Sequence, residues 1–308
     1  MSAMADPIEW YPARILQARA EGDDGPNTPG SPNSFALIIL NQPLRDVSTL
    51  KKLWKNSTLR VAADGGANRL LDVCKNDDDG KSFVRFSQLY SPSDVSSSTH
   101  ATQDNLDAIV GDLDSLTNQA RQYFTTRAKP TKVIHDPDQY STDFAKTVKW
   151  IRASSAPSPE DTGASIPDIV AMGGLGGRVD QGLSQLHHLY LFQTSPDYAE
   201  GRLFLVSGES ITFLLKGGRR HRIHVRERDG RERDGKGERR DDVFDKYVGI
   251  VPVKEPSVIS LRGFEWDVTD WETEFGGQMS TSNHVLPETE VVEVETTRDV
   301  LFTIALKR

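Results

Sequence analysis

Five short apolar runs in the first part of the chain alternate with stretches of helical spacing, and this alternation constrains the fold more than any other feature. The runs are FALIIL (35–40), Leu59–Ala63, Asp107–Val110, Lys132–Ile134 and Ile169–Met172. Short apolar runs bounded by turn residues are the pattern of buried strands. Helical spacing occupies Leu50–Trp54, Ala67–Val73, and the stretches near Thr142–Ala153 and Gln181–Phe192. Strands alternating with helices predict an α/β fold with a parallel sheet. Asp64-Gly65-Gly66, Gly111-Asp112 and the glycines from Gly173 onward fall directly after strands. They gather at the carboxyl edge of the sheet, where open α/β sheets bind their ligands.

From Gly201 the texture changes. LFLVSG, SITFLLK, HRIHV, YVGIVPV, SVISLRGF, EVVEVET and LFTIAL are short, rich in β-branched residues and separated by turn signals. That pattern predicts an all-β sandwich or barrel-like domain over 201–308, following an α/β domain over 35–200. Residues 1–34 are expected to be a flexible N-terminal segment, because 19–34 (RAEGDDGPNTPGSPNS) is dominated by Gly, Pro, Asp, Asn and Ser. Asn76–Gly80 and Ser91–Thr102 read as polar loops. Residues 226–242 (RERDGRERDGKGERRDD) carry seven basic and seven acidic residues. A nucleic-acid arm would be one-sided, so this segment is expected to be a disordered surface insertion.

The net charge of −8 argues against bulk binding to nucleic acid or anionic lipid. No apolar run reaches the ~18–20 residues that cross a bilayer, so no membrane partner is expected. The opening residues lack the basic-then-apolar layout of a secretory signal. Cys74 is the single cysteine, which excludes an internal disulfide and a multi-cysteine metal site and suits a reducing, cytoplasmic setting.

Three motifs carry chemistry. In Gly111-Asp112-Leu113-Asp114, two carboxylates follow a strand at i, i+2. An isolated pair of this kind reads as a solvated turn. Asp64 and Asp143 at comparable strand-end positions change that reading, because converging carboxylates repel unless a cation is present. Mg²⁺ takes one or two carboxylates and leaves its other positions to phosphates and water. In Asp136–Phe144 (DPDQYSTDF), Ser141 or Thr142 caps a helix with Asp143 in its first turn. In Gly173-Gly174-Leu175-Gly176-Gly177-Arg178-Val179-Asp180-Gln181, four glycines in five positions let backbone N–H groups approach an anion. Arg178 adds a planar cationic fork. This is neither a Walker A loop nor a GxGxxG fingerprint. His187 and His188 are adjacent on a helix, share no face and read as structural. Trp266 reads on its own as a core residue, and Ser280–Asn283 as a turn.

Nine segments in order resemble the eukaryotic, fungal-like thiamine pyrophosphokinases: LIILNQPL (37–44), ADGGANRL (63–70), GDLDSL (111–116), DQYSTDF (138–144), GGLGGRVDQ (173–181), SGESITFLL (207–215), GIVPV (249–253), GFEWDVT (263–269) and FGGQMSTSN (275–283). The resemblance spans nearly all of 35–308. It implies an ATP- and Mg²⁺-dependent enzyme that makes thiamine diphosphate and AMP. It also implies a homodimer of α/β and β-sandwich domains with active sites at the subunit interface. By position, Asp112, Asp114 and Asp143 resemble the Mg²⁺ carboxylates. Asp64, Asn68, Thr142, Gly173, Gly174, Arg178, Asp180 and Gln181 resemble the ATP side. Gln139, Trp266, Ser280, Ser282 and Asn283 resemble the thiamine side. Asp112, Asp114, Asp143, Arg178 and Asp180 are the expected catalytic set, with Asp143 and Asp180 both open as acceptors of the hydroxyl proton. The chain departs from the family in its long 76–104 and 226–242 segments and in Val110, where many members have Asn. Two rival readings are a Mg²⁺-dependent phosphatase using the Asp-x-Asp pair and a sensor that binds nucleotide or thiamine without turnover.

Overall fold

A computed structural model describes residues 6–17, 34–75, 105–156, 166–226 and 242–307. The chain divides into two compact units, one covering residues 20–188 and 200–202, the other residues 1–19, 189–199 and 203–308.

The first unit is α/β. Strand β2 (Phe35–Ile39) is followed by helix α1 (Val47–Asn56), β3 (Leu59–Ala63), α2 (Gly66–Lys75), β4 (Ala108–Gly111), α3 (Asn118–Thr125), β5 (Lys132–His135), α4 (Asp143–Ser154), β6 (Asp168–Met172) and α5 (Val179–Phe192). The strand order is β6-β2-β3-β4-β5, every pair parallel. β2 is buried at all five positions, as expected for a strand covered on both faces. β5, at the edge, exposes Lys132 and His135, which blunts that edge. The helices start where side chains can cap them: Asp46 accepts from Thr49 N, Thr117 from Ala120 N and Thr142 from Ala145 N. The chain leaves β2 for β3 on one side and returns through β6 on the other. The carboxyl ends of β2 and β6 therefore form the switch point where such sheets open a crevice.

The second unit is all-β. It contains β1 (Ile8–Trp10), β7 (Leu203–Val206), β8 (Ser210–Leu215), β9 (Arg219–His224), β10 (Phe244–Val251), β11 (Ser257–Arg262), β12 (Val268–Thr273), β13 (Ser280–His284), β14 (Val291–Thr296) and β15 (Val300–Leu306). One layer runs β13-β10-β15-β8-β7 and the other β1-β9-β14-β11-β12. Alternating burial along β9 and β14 turns one face of the second layer inward. The layers meet through Trp10 of β1, stacked on Phe213 of β8 at 4.6 Å, so the unit is a sandwich.

The expectation that order begins at Phe35 differs from the structure. Ile8–Trp10 pairs in parallel with His221–Ile223, and Trp10 is fully buried, its Nε1 donating to His221 Nδ1 at 3.1 Å. A three-residue strand has no periodicity to read, and β1 is held by what its few side chains reach. Residues 18–33, 76–104 and 227–241, where the remaining loop and insertion expectations fall, lie outside the described residues. The flanks of the insertion are described, and Arg226 Nε stands 3.4 Å from Asp242 Oδ2. Among the described residues, no helix is long and apolar enough to cross a membrane.

Candidate active site

The crevice at the ends of β2 and β6 is a pocket of about 290 Å³, with Leu40, Asn41 and Gln42 from the β2 end and Gly173 and Gly174 from the β6 end. Asp112, Thr142, Asp143 and Gln181 also line it, so six of the residues read from sequence meet here.

Asp64 terminates β3 with φ of 40°, a left-handed conformation that Asp tolerates better than most residues. The turn drives its side chain inward, leaving it 1% exposed. Its Oδ2 accepts from Ser115 N at 3.0 Å, whereas Oδ1 is buried without a hydrogen-bond partner. Burial, with the negative charges of Asp143 and Asp112 added, pushes its pKa up to about 6. At the next strand end, Leu113 has φ of 68°, and this reversal turns Asp112 and Asp114 to the same side. Oxygens of Asp64, Asp112 and Asp114 all lie within 4.8 Å of one another. Gly111 permits this convergence, since a Cβ there would lie 2.7 Å from Asp64 Cβ and 2.8 Å from Asp143 Oδ1.

Asp143 opens α4 and accepts from Asp112 N at 3.3 Å. Burial, followed by the charge of Asp112, raises its pKa. Lys146, one turn later, is 1% exposed and reaches both Asp112 Oδ2 at 3.1 Å and Asp143 Oδ1 at 3.4 Å. Burial works to lower the Lys146 pKa, but the two carboxylates outweigh it and the net shift is upward. Burial likewise opposes the ionised form of Asp112, and the Lys146 hydrogen bond overcomes it to lower that pKa. Lys146 is thus an internal counter-charge that sequence reading missed. Its spacing of three residues from Asp143 was the available signal.

Asn68, Gln139, Arg178, Asp180 and His188 each have definite partners. Asn68 accepts from Thr117 N and Oγ1 at 3.0 and 2.9 Å and donates to Ser115 O at 2.7 Å. Its amide is spent fastening the loop that carries Asp112 and Asp114. Gln139 Nε2 approaches Asp112 Oδ2 at 3.4 Å, beside the carboxylates. Arg178 and Asp180 are both exposed and bind each other, Nη2 to Oδ2 at 2.5 Å and Nε to Oδ1 at 3.1 Å. His188 is buried, and its Nε2 meets Thr142 Oγ1 at 2.7 Å while Nδ1 faces Ser184 O. It is structural, as read, and it fixes the residue that caps α4.

In the β unit, Trp266 is 52% exposed, contrary to the core position expected from its residue type alone. Ser280–His284 is the strand β13 and not a turn. Asn283 is buried, accepting from Trp266 N at 3.2 Å and donating to Trp266 O at 2.9 Å. A register irregularity between Ser280 and Asn283 interrupts the strand period, and Ser282 is exposed where Asn283 is buried. The Trp266 ring lies 4.9 Å from that of His284.

The protein-family model described as "Thiamin pyrophosphokinase, catalytic domain" matches residues 50–198. That described as "Thiamin pyrophosphokinase, vitamin B1 binding domain" matches residues 220–301. The chain belongs to the thiamine pyrophosphokinase family. Similar proteins include thiamine pyrophosphokinase 1 of Arabidopsis thaliana, 31% identical over 89% of this chain and 87% of that protein. Thiamine pyrophosphokinase 3 of Oryza sativa subsp. japonica is 30% identical over 89% of this chain and 88% of its own. The structure of thiamin pyrophosphokinase from Candida albicans shares the fold, with a TM-score of 0.68 and 24% identity over 99% of this chain and 96% of that one.

Proposed function

We propose that this chain, an enzyme of the thiamine pyrophosphokinase family, transfers the pyrophosphoryl group of ATP to the hydroxyl of thiamine at the carboxylate cluster around Asp64. The observation that carries this reading is the Asp64 carboxylate itself, buried with one oxygen unpartnered and two further aspartates within 4.8 Å. Such an array is costly without a cation, and its all-oxygen donor set fits Mg²⁺. Asp64, Asp112 and Asp114 would hold the ion, with Asp143 beside them. This moves Asp64 from the ATP side to the metal side of the assignment made from sequence. Held there, Mg²⁺ would supply Lewis-acid chemistry, offsetting negative charge on the phosphates during transfer.

The chain's own residues do the rest by positioning, which is what phosphoryl transfers demand. Gly173, with φ of +87°, lets the loop after β6 present its backbone to the phosphate chain. Arg178 exchanges Asp180 for phosphate oxygens of the transferring group. The thiamine oxygen bonds to the β-phosphorus, the bond from that phosphorus to the α–β bridging oxygen breaks, and AMP departs with its electron pair. The hydroxyl proton goes to Asp143. Its raised pKa supports this choice over Asp180, whose pKa the Arg178 hydrogen bond lowers. Trp266 packs against a ring of thiamine, with Ser280 and Ser282 as polar contacts and Asn283 holding the tryptophan backbone.

The working form is a cytoplasmic homodimer. The exposed apolar side chains of Trp266, Phe275 and Leu286 support a partner surface on the β unit, and sedimentation of the purified chain checks it. The reaction is tested by incubating the protein with thiamine, ATP and Mg²⁺ and separating the products. AMP is expected, and ADP in its place would sink the pyrophosphoryl assignment. Asp112→Asn should lower AMP release by at least about 100-fold while far-UV circular dichroism stays unchanged. A variant that turns over near the parent rate removes Asp112 from the site.

A further inference from the structure

The pocket lining combines two chemistries: Asp112 and Asp143 are acidic, whereas Leu40, Gly174, Ser184 and Gln185 carry no charge. Gln185, on α5, is 8% exposed, and its Oε1 is buried without a hydrogen-bond partner. Buried side-chain amides are nearly always paired, and leaving one unpaired opposes folding. Nothing in the carboxylate chemistry uses this group. Gly174 leaves it room, because a Cβ there would lie 2.9 Å from Gln185 Cγ and 3.0 Å from Cδ.

We propose that Gln185 reads the base of the nucleotide by pairing its side-chain amide with the amine-bearing edge of adenine. The proposal rests on the reading of this pocket as the ATP site. A glutamine amide offers a donor and an acceptor side by side, and adenine offers the complement in its exocyclic amine and adjacent ring nitrogen. A 6-keto purine reverses that pattern, so the Gln185 amide would have to flip to pair with it, turning its NH₂ into the buried place that Oε1 occupies. Sites built around a buried hydrogen-bonding group reject ligands that leave it unpaired. The aminopyrimidine of thiamine carries a similar edge. Adenine is the occupant that also explains the carboxylates in the lining, because ATP joins its neutral heterocycle to a phosphate chain whose Mg²⁺ they would hold, and free thiamine has no phosphate.

The test uses the full chain with Gln185→Leu and the near-isosteric Gln185→Met. ATP and ITP binding are measured by calorimetry in Mg²⁺ without thiamine, and AMP release is measured separately. The parent should prefer ATP to ITP by roughly 10- to 100-fold. Both variants should lose that preference by weakened ATP binding, keep the parent KM for thiamine, and unfold at the same or a higher temperature, since an unpaired group has been removed. A parent without base preference, variants that keep the parent ratio, or a change confined to the thiamine KM would overturn the proposal. A Gln185-dependent preference for ATP in a chain that makes no AMP from thiamine would uphold it while sinking the reaction assigned above.

Discussion

Asp64 combines a backbone that suits its residue type with an ionised state that does not suit its surroundings. Its pKa of about 6 against an ordinary 3.8 means that between these values the folded chain binds more protons than the unfolded one. Stability therefore falls as pH rises through that window, and the loss is complete above about pH 6. The 1% exposure of Asp64 leaves little solvent screening, and the shift corresponds to a loss of up to about 3 kcal/mol. Asn tolerates the same left-handed backbone and keeps an acceptor for Ser115 N. Asp64→Asn should accordingly stabilise the metal-free protein at pH 8, leave it unchanged below pH 4, and abolish turnover. Denaturant titrations in chelator at the two pH values measure this, and no gain at pH 8 would contradict the burial argument. Lys146 balances the same cluster with the opposite sign. Replacing it with Met leaves Asp112 and Asp143 facing each other without a counter-charge. Because those carboxylates are 17% and 32% exposed, the stability loss should be modest, about 1–3 kcal/mol. Mg²⁺ should then bind more tightly while turnover falls. Weaker Mg²⁺ binding in Lys146→Met would show that orienting the carboxylates outweighs competing with the ion.

The α4 N-terminus shows how one element ties another, α5, to the site. Thr142 Oγ1 accepts from Ala145 N at 3.1 Å and meets His188 Nε2 at 2.7 Å. With Nδ1 facing the Ser184 carbonyl, the hydrogen-bond network assigns the ring proton to Nδ1, so Thr142 donates to Nε2. Thr142→Val removes both bonds and should cost about 1–2 kcal/mol, whereas Thr142→Ser should retain them; comparing their unfolding midpoints checks the cap. Burial lowers the His188 pKa, so its stabilising contribution is present at neutral pH and lost as pH falls below the ordinary histidine range. None of this pairing was legible, because Thr142 and His188 are 46 residues apart and adjacent histidines on a helix carry no distinguishing pattern. The strands β2, β3, β4, β5 and β6 were legible because apolar runs stop at acids and glycines. Helix α3 was not, since it buries only Ala120 and Phe124. Strands β12 and β13, largely exposed, lack the alternation that marks half-buried strands. The carboxylates of the site could be read because acids at strand ends have little structural reason to be there. Gln185 could not, because one glutamine in an amphipathic helix looks like any other until its burial is known, and Lys146 offered only its three-residue spacing from Asp143.

Across the whole molecule, two segments that look alike in sequence should behave in opposite ways when removed. Both are expected from sequence to be flexible, residues 1–34 for the Gly-, Pro- and Asn-rich stretch 19–34 and residues 226–242 for their dense, balanced charge. The first contains Trp10, fully buried, 4.6 Å from Phe213 and 4.9 Å from Tyr198. Around it, Glu9 pairs with Arg222 at 2.8 Å and His224 at 2.6 Å. Truncating a buried Trp typically costs about 3–5 kcal/mol, and those partly exposed pairs contribute far less. The charged insertion leaves the β unit between Arg226 and Asp242, whose side chains already meet at 3.4 Å. Halving the length of such a connection changes loop-closure free energy by only about 0.6 kcal/mol. Trp10→Ala, or removal of residues 1–17, should therefore lower the unfolding midpoint sharply. Replacing 227–241 with a short Gly-Ser linker should leave both midpoint and AMP release near the parent values. Parallel denaturant titrations of the three proteins decide the matter. A truncated chain as stable as the parent would mean that β1 adds little beyond covering an edge, and a destabilised linker variant would mean that the charged segment contributes contacts of its own.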